Sequence, residues 1–134
     1  MNKTKDIHAL INCVEKFHNS FGISNNYEPT VQLSQKDIQL RFDLLKEENE
    51  EYINAAKKGD MIEVADALGD LMYILFGTIM KHGMQHKIVE VFEEIQRSNM
   101  SKLGEDGKPI YREDGKVLKG PNYFKPNIQA ILNQ

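Results

Sequence analysis

Apolar residues recur at helical spacing in four stretches of this chain. Ile7, Leu10, Ile11, Val14, Phe17 and Phe21 share one face and Gly22 follows as a stop, which predicts a first helix over about residues 4–20. The segment from Ile23 to Leu33, with Asn25-Asn26 and Pro29, reads as a loop. Ser34 with Asp37 three residues on opens a second helix that runs to about Lys58 and stops at Gly59. Asp60 with Glu63 repeats the device for a third, continuing to about Lys81 before Gly83. Ile88, Val91, Phe92 and Ile95 mark a fourth, expected to end near Gly104. Beyond it, EDGKPIYREDGKVLKGPNYFKP has no helical period. Lys108–Arg112 and Lys116–Lys119, joined by Glu113-Asp114-Gly115, suit a small hairpin there, and a short helix over about Ile128–Leu132 follows. The expectation is one domain over residues 1–134, an all-α four-helix bundle (about residues 4–104) with a C-terminal basic arm over 105–134.

The pattern is broken by acids. On the second helix Ile38, Phe42, Leu44, Leu45, Tyr52, Ile53, Ala55 and Ala56 form an apolar arc; Glu48 falls inside it, Glu51 at its margin and Glu47 farther round. The third helix is apolar or small from Val64 to Met80 except for Asp66 and Asp70, one turn apart on one face, with Glu63 a turn before them. A helix apolar all round is normally central, and carboxylates there are costly to desolvate without cations. Two partners would meet that need: Lys or Arg from neighbouring helices, or a divalent metal. Oxygen donors with no His at ligand spacing and no nearby Cys suit a hard ion such as Mg²⁺ or Mn²⁺ better than zinc, and favour the metal. Glu63 alone reads equally well as a helix cap. A di-iron bundle needs Glu-x-x-His on two helices, and only Glu15 to His18 has that spacing.

Composition narrows the partners. At 134 residues the chain can bury one core, and a hydrophobic share of 40%, a charged share of 28% and a net charge of −3 give no pull toward polymeric nucleic acid or an anionic membrane. The longest apolar run, Leu71 to Met80, is too short to cross a bilayer. The polar start MNKTKDIH reads as neither a secretory nor a transit signal. Cys13, the single cysteine, makes no internal disulfide and reads as a small packed hydrophobe in a reduced, cytoplasmic protein. His18, just off an apolar stripe, reads as a core or interface histidine.

EENEE followed by EVADALGD resembles the two-part acidic motif of the all-α nucleoside triphosphate pyrophosphohydrolases, the MazG-like and phosphoribosyl-ATP pyrophosphohydrolase-like superfamily. FHNSFG and SNMSKLGEDGKPIYREDGKVLKGPNYFKP extend the likeness over nearly the whole chain. The resemblance implies Mg²⁺-dependent cleavage of a nucleotide between its α and β phosphates, giving monophosphate and pyrophosphate, in a dimer or tetramer. Glu47, Glu48 and Glu51 match the first acidic element; the second is either Glu63 with Asp66, or Asp70 helped by Asp66, since residue 67 is Ala where many members carry Glu. Glu47 or Glu48 is then expected to take the proton of the attacking water. Beyond the metal, Asn99 and Lys102 on the fourth helix, Lys116 and Lys119 on the arm, and Tyr123 or Phe124 as a stacking ring are candidate substrate contacts. Arg41 is placed either to pair with the glutamates or to contact phosphate. The competing readings are a phosphohydrolase cutting a phosphoribosyl nucleotide and a non-catalytic helical module whose acids make structural salt bridges. The apolar third helix predicts a homodimer.

Overall fold

Among the described residues, four of the five helices begin where a side chain can cap them. The computed structural model describes residues 6–134, with α1 over Ile7–Ser20, α2 over Gln35–Lys58, α3 over Met61–Lys81, α4 over Ile88–Met100 and α5 over Ile128–Leu132. Residues 4 and 5, assigned above to the first helix, lie outside the described residues. The side chains of Asp6, Ser34, Asp60 and Asn127 accept from the N–H groups of Ala9, Asp37, Glu63 and Ala130 at 2.9–3.2 Å, so each satisfies a donor that the first turn leaves free. The fold is all-α, as expected, and no helix among the described residues is long and apolar enough to cross a membrane. The chain divides into two compact units, Met1–His86 and Lys87–Gln134.

In the first unit α3 packs against both α1 and α2. Ile11, Val14, Ala55, Ala67, Phe76, Ile79 and Met80 are buried there. Gly59, at φ +72°, turns the chain at the end of α2; its N–H donates to the Ala55 and Ala56 carbonyls, and Asp60 caps α3 directly afterwards. A left-handed residue suits glycine because a Cβ there would crowd the carbonyl. The result is a tight antiparallel hairpin of α2 and α3. The loop before α2 is tied to the end of α3: the Asn26 N–H donates to the Met80 carbonyl at 2.9 Å and the Thr30 N–H to that of His82 at 3.0 Å.

Two expectations about this unit change. The α2 arc is only partly covered, with Phe42 59% exposed and Ile38 and Ile53 also exposed, because the neighbour that meets α2 here is α3, on one side only. Cys13 is exposed rather than packed; it borders a shallow apolar groove with Leu10, Met72 and Tyr73. Its position on the edge of the α1 stripe turns it toward that groove instead of into the core.

In the second unit α4 packs on α5. Buried Ser98 donates its hydroxyl to the Phe124 carbonyl at 2.8 Å, the Gly120 N–H donates to the Lys102 carbonyl at 2.8 Å, and Glu94 accepts from the Asn127 N–H at 2.6 Å and from Arg97 Nε and Nη2. α4 stops at Met100 rather than near Gly104, because the Ser101 hydroxyl donates to the Ser98 carbonyl at 2.5 Å and competes with further helical bonding. The arm folds back where the hairpin was expected, but through one isolated antiparallel bridge, Tyr111 with Val117. Among the described residues no strand forms. An Arg112–Asp114 ion pair and Gly115 at φ +90° hold the turn.

Candidate metal centre

The α2–α3 hairpin determines which acids can meet. Glu48 and Glu51 are neighbours on one face of α2, being three residues apart, and antiparallel α3 brings Asp70 beside them. Carboxylate oxygens of Glu48, Glu51 and Asp70 all lie within 4.8 Å of one another. Like charges so close resist ionising together. The Glu48 carboxyl is pushed up to about 7, first by burial, then by its hydrogen bond with Glu51 and the charges of Asp70, Glu51 and Glu47. Asp70 is raised too, by burial and then by Asp66 and Glu51. Glu48 Oε2 is inaccessible to solvent and has no hydrogen-bond partner.

A carboxylate oxygen that is shielded from water and has no donor, on a residue clustered with two further acids, marks a place where positive charge fits. The donor set is entirely oxygen, which matches the preference of a hard divalent ion, and Glu48, Glu51 and Asp70 come from two helices held in fixed register. The residues present fit a metal ion of the Mg²⁺ kind.

Beside the cluster is a cavity of about 340 Å³ lined by Glu51, Asn54, Lys58, Glu63 and Asp66. Asp66 is thus one turn from Asp70 and faces the same region. Glu63 also lines it, with its carboxylate 3.8 Å from the Lys58 ammonium and its N–H on the Asp60 cap. Glu47 is exposed beside the cluster, consistent with its place outside the apolar arc.

Arg41 stands elsewhere. It is buried, its Nε donating to Thr78 Oγ1 at 3.0 Å and its Nη2 to the Ile74 carbonyl at 2.8 Å, so it cross-links α2 to α3 away from the glutamates. His18 is buried, with Nδ1 2.6 Å from Asn25 Oδ1, the core histidine its stripe predicted. Asn99, Lys102, Lys116, Lys119 and Tyr123 belong to the second unit. Asn99 is exposed and Lys102 half-buried, the Lys116 N–H donates to Asp114 at 3.2 Å, and the Lys119 ammonium sits 4.9 Å from the Tyr123 ring centre. Asn54 and Lys58 were not singled out from the sequence. They follow Glu51 by three and seven residues along one stripe, a usable signal, but a lysine ending a helix also reads as a complement to its dipole.

Comparisons with known proteins agree with the all-α reading. The model of a family described as phosphoribosyl-ATP pyrophosphohydrolase matches residues 14–99. An uncharacterized protein of Acanthamoeba polyphaga mimivirus is 27% identical over 85 residues, covering 61% of this chain and 34% of that protein, so the chain spans about a third of that relative's length. Among solved structures, a proposed NTP pyrophosphohydrolase from Exiguobacterium sp. 255-15 superposes with a TM-score of 0.50 over 97% of this chain and 94% of that one, at 22% identity. That likeness concerns the fold.

Proposed function

The chain belongs to the phosphoribosyl-ATP pyrophosphohydrolase family, and from that premise we propose that it is a divalent-metal-dependent pyrophosphohydrolase, cleaving a (deoxy)nucleoside triphosphate to the monophosphate and pyrophosphate. The observation that carries this reading is Glu48, a carboxyl whose second oxygen has no partner among three clustered acids. A structural salt-bridge network would have supplied that oxygen with a donor.

Glu48, Glu51 and Asp70 are the groups proposed to hold Mg²⁺ or Mn²⁺, with Asp66 one turn behind Asp70. When bound, such an ion neutralises charge on the phosphates and orients attack. Two carboxylates are proposed to take the proton of the attacking water: Glu48, whose affinity for a proton lies near neutrality, and solvent-exposed Glu47 beside it. Separate Glu47→Gln and Glu48→Gln variants distinguish them. Asn99, Lys102, Lys116, Lys119 and Tyr123 remain proposed contacts for the rest of the nucleotide.

A homodimer, or a dimer of dimers, is part of the proposal. It is supported by the exposure of Leu68, Met72, Tyr73 and Leu75 on the otherwise central α3. A sedimentation mass of one chain at micromolar concentration would count against it. A reduced cytoplasmic setting, in keeping with a free Cys13 thiol, and clearance of unwanted nucleotides complete the reading. The family's description favours one second substrate, a phosphoribosyl nucleotide.

The test is a panel of canonical and modified (deoxy)nucleoside triphosphates, with phosphoribosyl-ATP included, incubated with Mg²⁺ and resolved by chromatography. An Asp66→Asn, Asp70→Asn double variant runs alongside. Monophosphate and pyrophosphate from the wild type, lost in the double variant, are expected. No turnover with Mg²⁺ or Mn²⁺ would hand the lead to the non-catalytic module.

A further inference from the structure

The cavity beside the carboxylate cluster has a lining that the metal does not account for. Glu51, Asn54 and Lys58 form one stripe of α2 facing Glu63 and Asp66 of α3, and Lys58 is the only cation among these five residues. All five side chains are polar, and the surface they present to the cavity is mostly polar. With three carboxylates and one ammonium, it takes an anionic group only beside a metal that the carboxylates hold, with Lys58 as the direct cationic contact.

Lys58 is held loosely there. Its ammonium is 3.8 Å from the Glu63 carboxylate, and the two side chains are 67% and 56% exposed. A solvated pair of that kind contributes about 0–1 kcal/mol, and the lysine stem is flexible enough to carry its charge to a better partner. A terminal diphosphate, with several negative charges on oxygens that accept hydrogen bonds, outcompetes one carboxylate. The Asn54 amide, one turn back on the same stripe, supplies a second donor.

We infer that Lys58, assisted by Asn54, holds the terminal phosphates of the substrate beside the metal-binding carboxylates, and that Glu63 is the counter-ion Lys58 leaves on binding rather than a metal ligand. This rests on the pyrophosphohydrolase reading and names the pyrophosphate end of its site. Lys58 is a binding residue that acts by charge at the phosphates, and the bond-breaking atoms stay with the carboxylate cluster.

The competing role for the pair is a tie across the α2–α3 turn, and the two roles differ in sign. If Lys58 and Glu63 only brace the turn, removing either has the same effect on the protein and none on phosphate affinity. If Lys58 is the phosphate contact and Glu63 its rival, the variants move affinity in opposite directions. Calorimetric titration of inorganic pyrophosphate into the full chain with saturating Mg²⁺ tests this, with kcat and KM for the best triphosphate of the panel and a thermal melt for each variant. Lys58→Met is expected to weaken pyrophosphate binding about tenfold and to raise KM similarly with far less change in kcat, the pattern of lost uniform binding. Lys58→Arg should keep most of the affinity, and Glu63→Gln should tighten it about two- to threefold. Equal binding by wild type and Lys58→Met would overturn the inference while turnover kept the parent reading intact, as would Glu63→Gln weakening pyrophosphate as much as Lys58→Met. A wild type that neither binds Mg²⁺-pyrophosphate nor turns over any nucleotide would overturn both.

Discussion

Two clusters of ionisable groups meet at the α2–α3 hairpin, and they are built in opposite ways. Away from the turn, His18, Arg41 and Lys81 are all buried, yet their donors are met by neutral oxygens: Arg41 by Thr78 and the Ile74 carbonyl, Lys81 by the Ser24 carbonyl and hydroxyl at 2.9 and 3.1 Å, His18 by Asn25. Asp37 stands 3.9 Å from Lys81 as an additional counter-charge. Nearer the turn, Glu48, Glu51 and Asp70 have chiefly one another, and one oxygen of Glu48 has nothing. Carbonyls and hydroxyls satisfy a buried cation without needing a ligand, whereas a group of carboxylates needs a cation from outside. Charge alone therefore does not mark a site; unsatisfied charge does.

Substitutions that remove each kind of charge should diverge. Glu48→Gln or Asp70→Asn is expected to lower kcat/KM by about 10²–10⁴-fold while raising the melting temperature of the metal-free protein, since each relieves repulsion. Enzyme assay and a melt in chelator read the two effects, and a fall in both would show the acids to be structural. Arg41→Ala should instead cost about 2–4 kcal/mol in denaturant unfolding, because it empties a buried volume and removes the donors that Thr78 Oγ1 and the Ile74 carbonyl accept from across the hairpin. A milder break of the same cluster is Gly77→Ala. Its added Cβ would lie 2.6 Å from Arg41 Nη2 and 2.9 Å from His18 Nε2, for an expected loss of about 1–3 kcal/mol.

Acidity gives the smallest and sharpest contrast. Glu48 is pushed from 4.5 up to about 7 in the fold, so the folded state holds a proton that the unfolded chain releases. Its contribution to stability is greatest below about pH 4.5 and is lost as pH rises through about 7. His18 is lowered from 6.5, mainly by burial, against the pull of its Asn25 hydrogen bond. The unfolded chain then binds the extra proton, so its contribution is complete above about pH 6.5 and falls away in more acid solution. Melts in chelator between pH 5 and 8 should show these opposed slopes, and Glu48→Gln should leave the rising one alone. Mg²⁺ affinity should increase across the same range as Glu48 gives up its proton; an affinity flat with pH would remove Glu48 from the ligand set.

How much of this was legible depended on how local each feature is. The caps at Ser34 and Asp60 and the stop at Gly59 each involve a few consecutive residues, and the helices they bound were readable to within a residue or two. That acids of α2 and α3 face each other was readable as well, because two helices joined by a two-residue turn leave little choice of register. Arg41 could not be placed from its own helix: its partners Ile74 and Thr78 lie on another one, and spacing within α2 does not distinguish a buried cross-link from a phosphate contact. Periodicity likewise defined the apolar arc of α2 but not how little of it α3 covers, as exposed Phe42 shows. In the second unit, serine hydroxyls rather than side-chain periodicity decide where α4 ends, and that competition leaves little trace in a hydropathy pattern.

The turn at Gly59-Asp60 makes the candidate site intolerant of changes in length. Surface connections ordinarily absorb inserted residues at little cost. Here Glu48 and Glu51 lie on one side of that turn and Asp70 on the other, so one extra residue would re-seat α3 against α2 and carry Asp70 around or along its helix, away from its partners. A lineage of such chains would be free to lengthen at the exposed turn of the arm, while the two-residue connection between α2 and α3 kept its length.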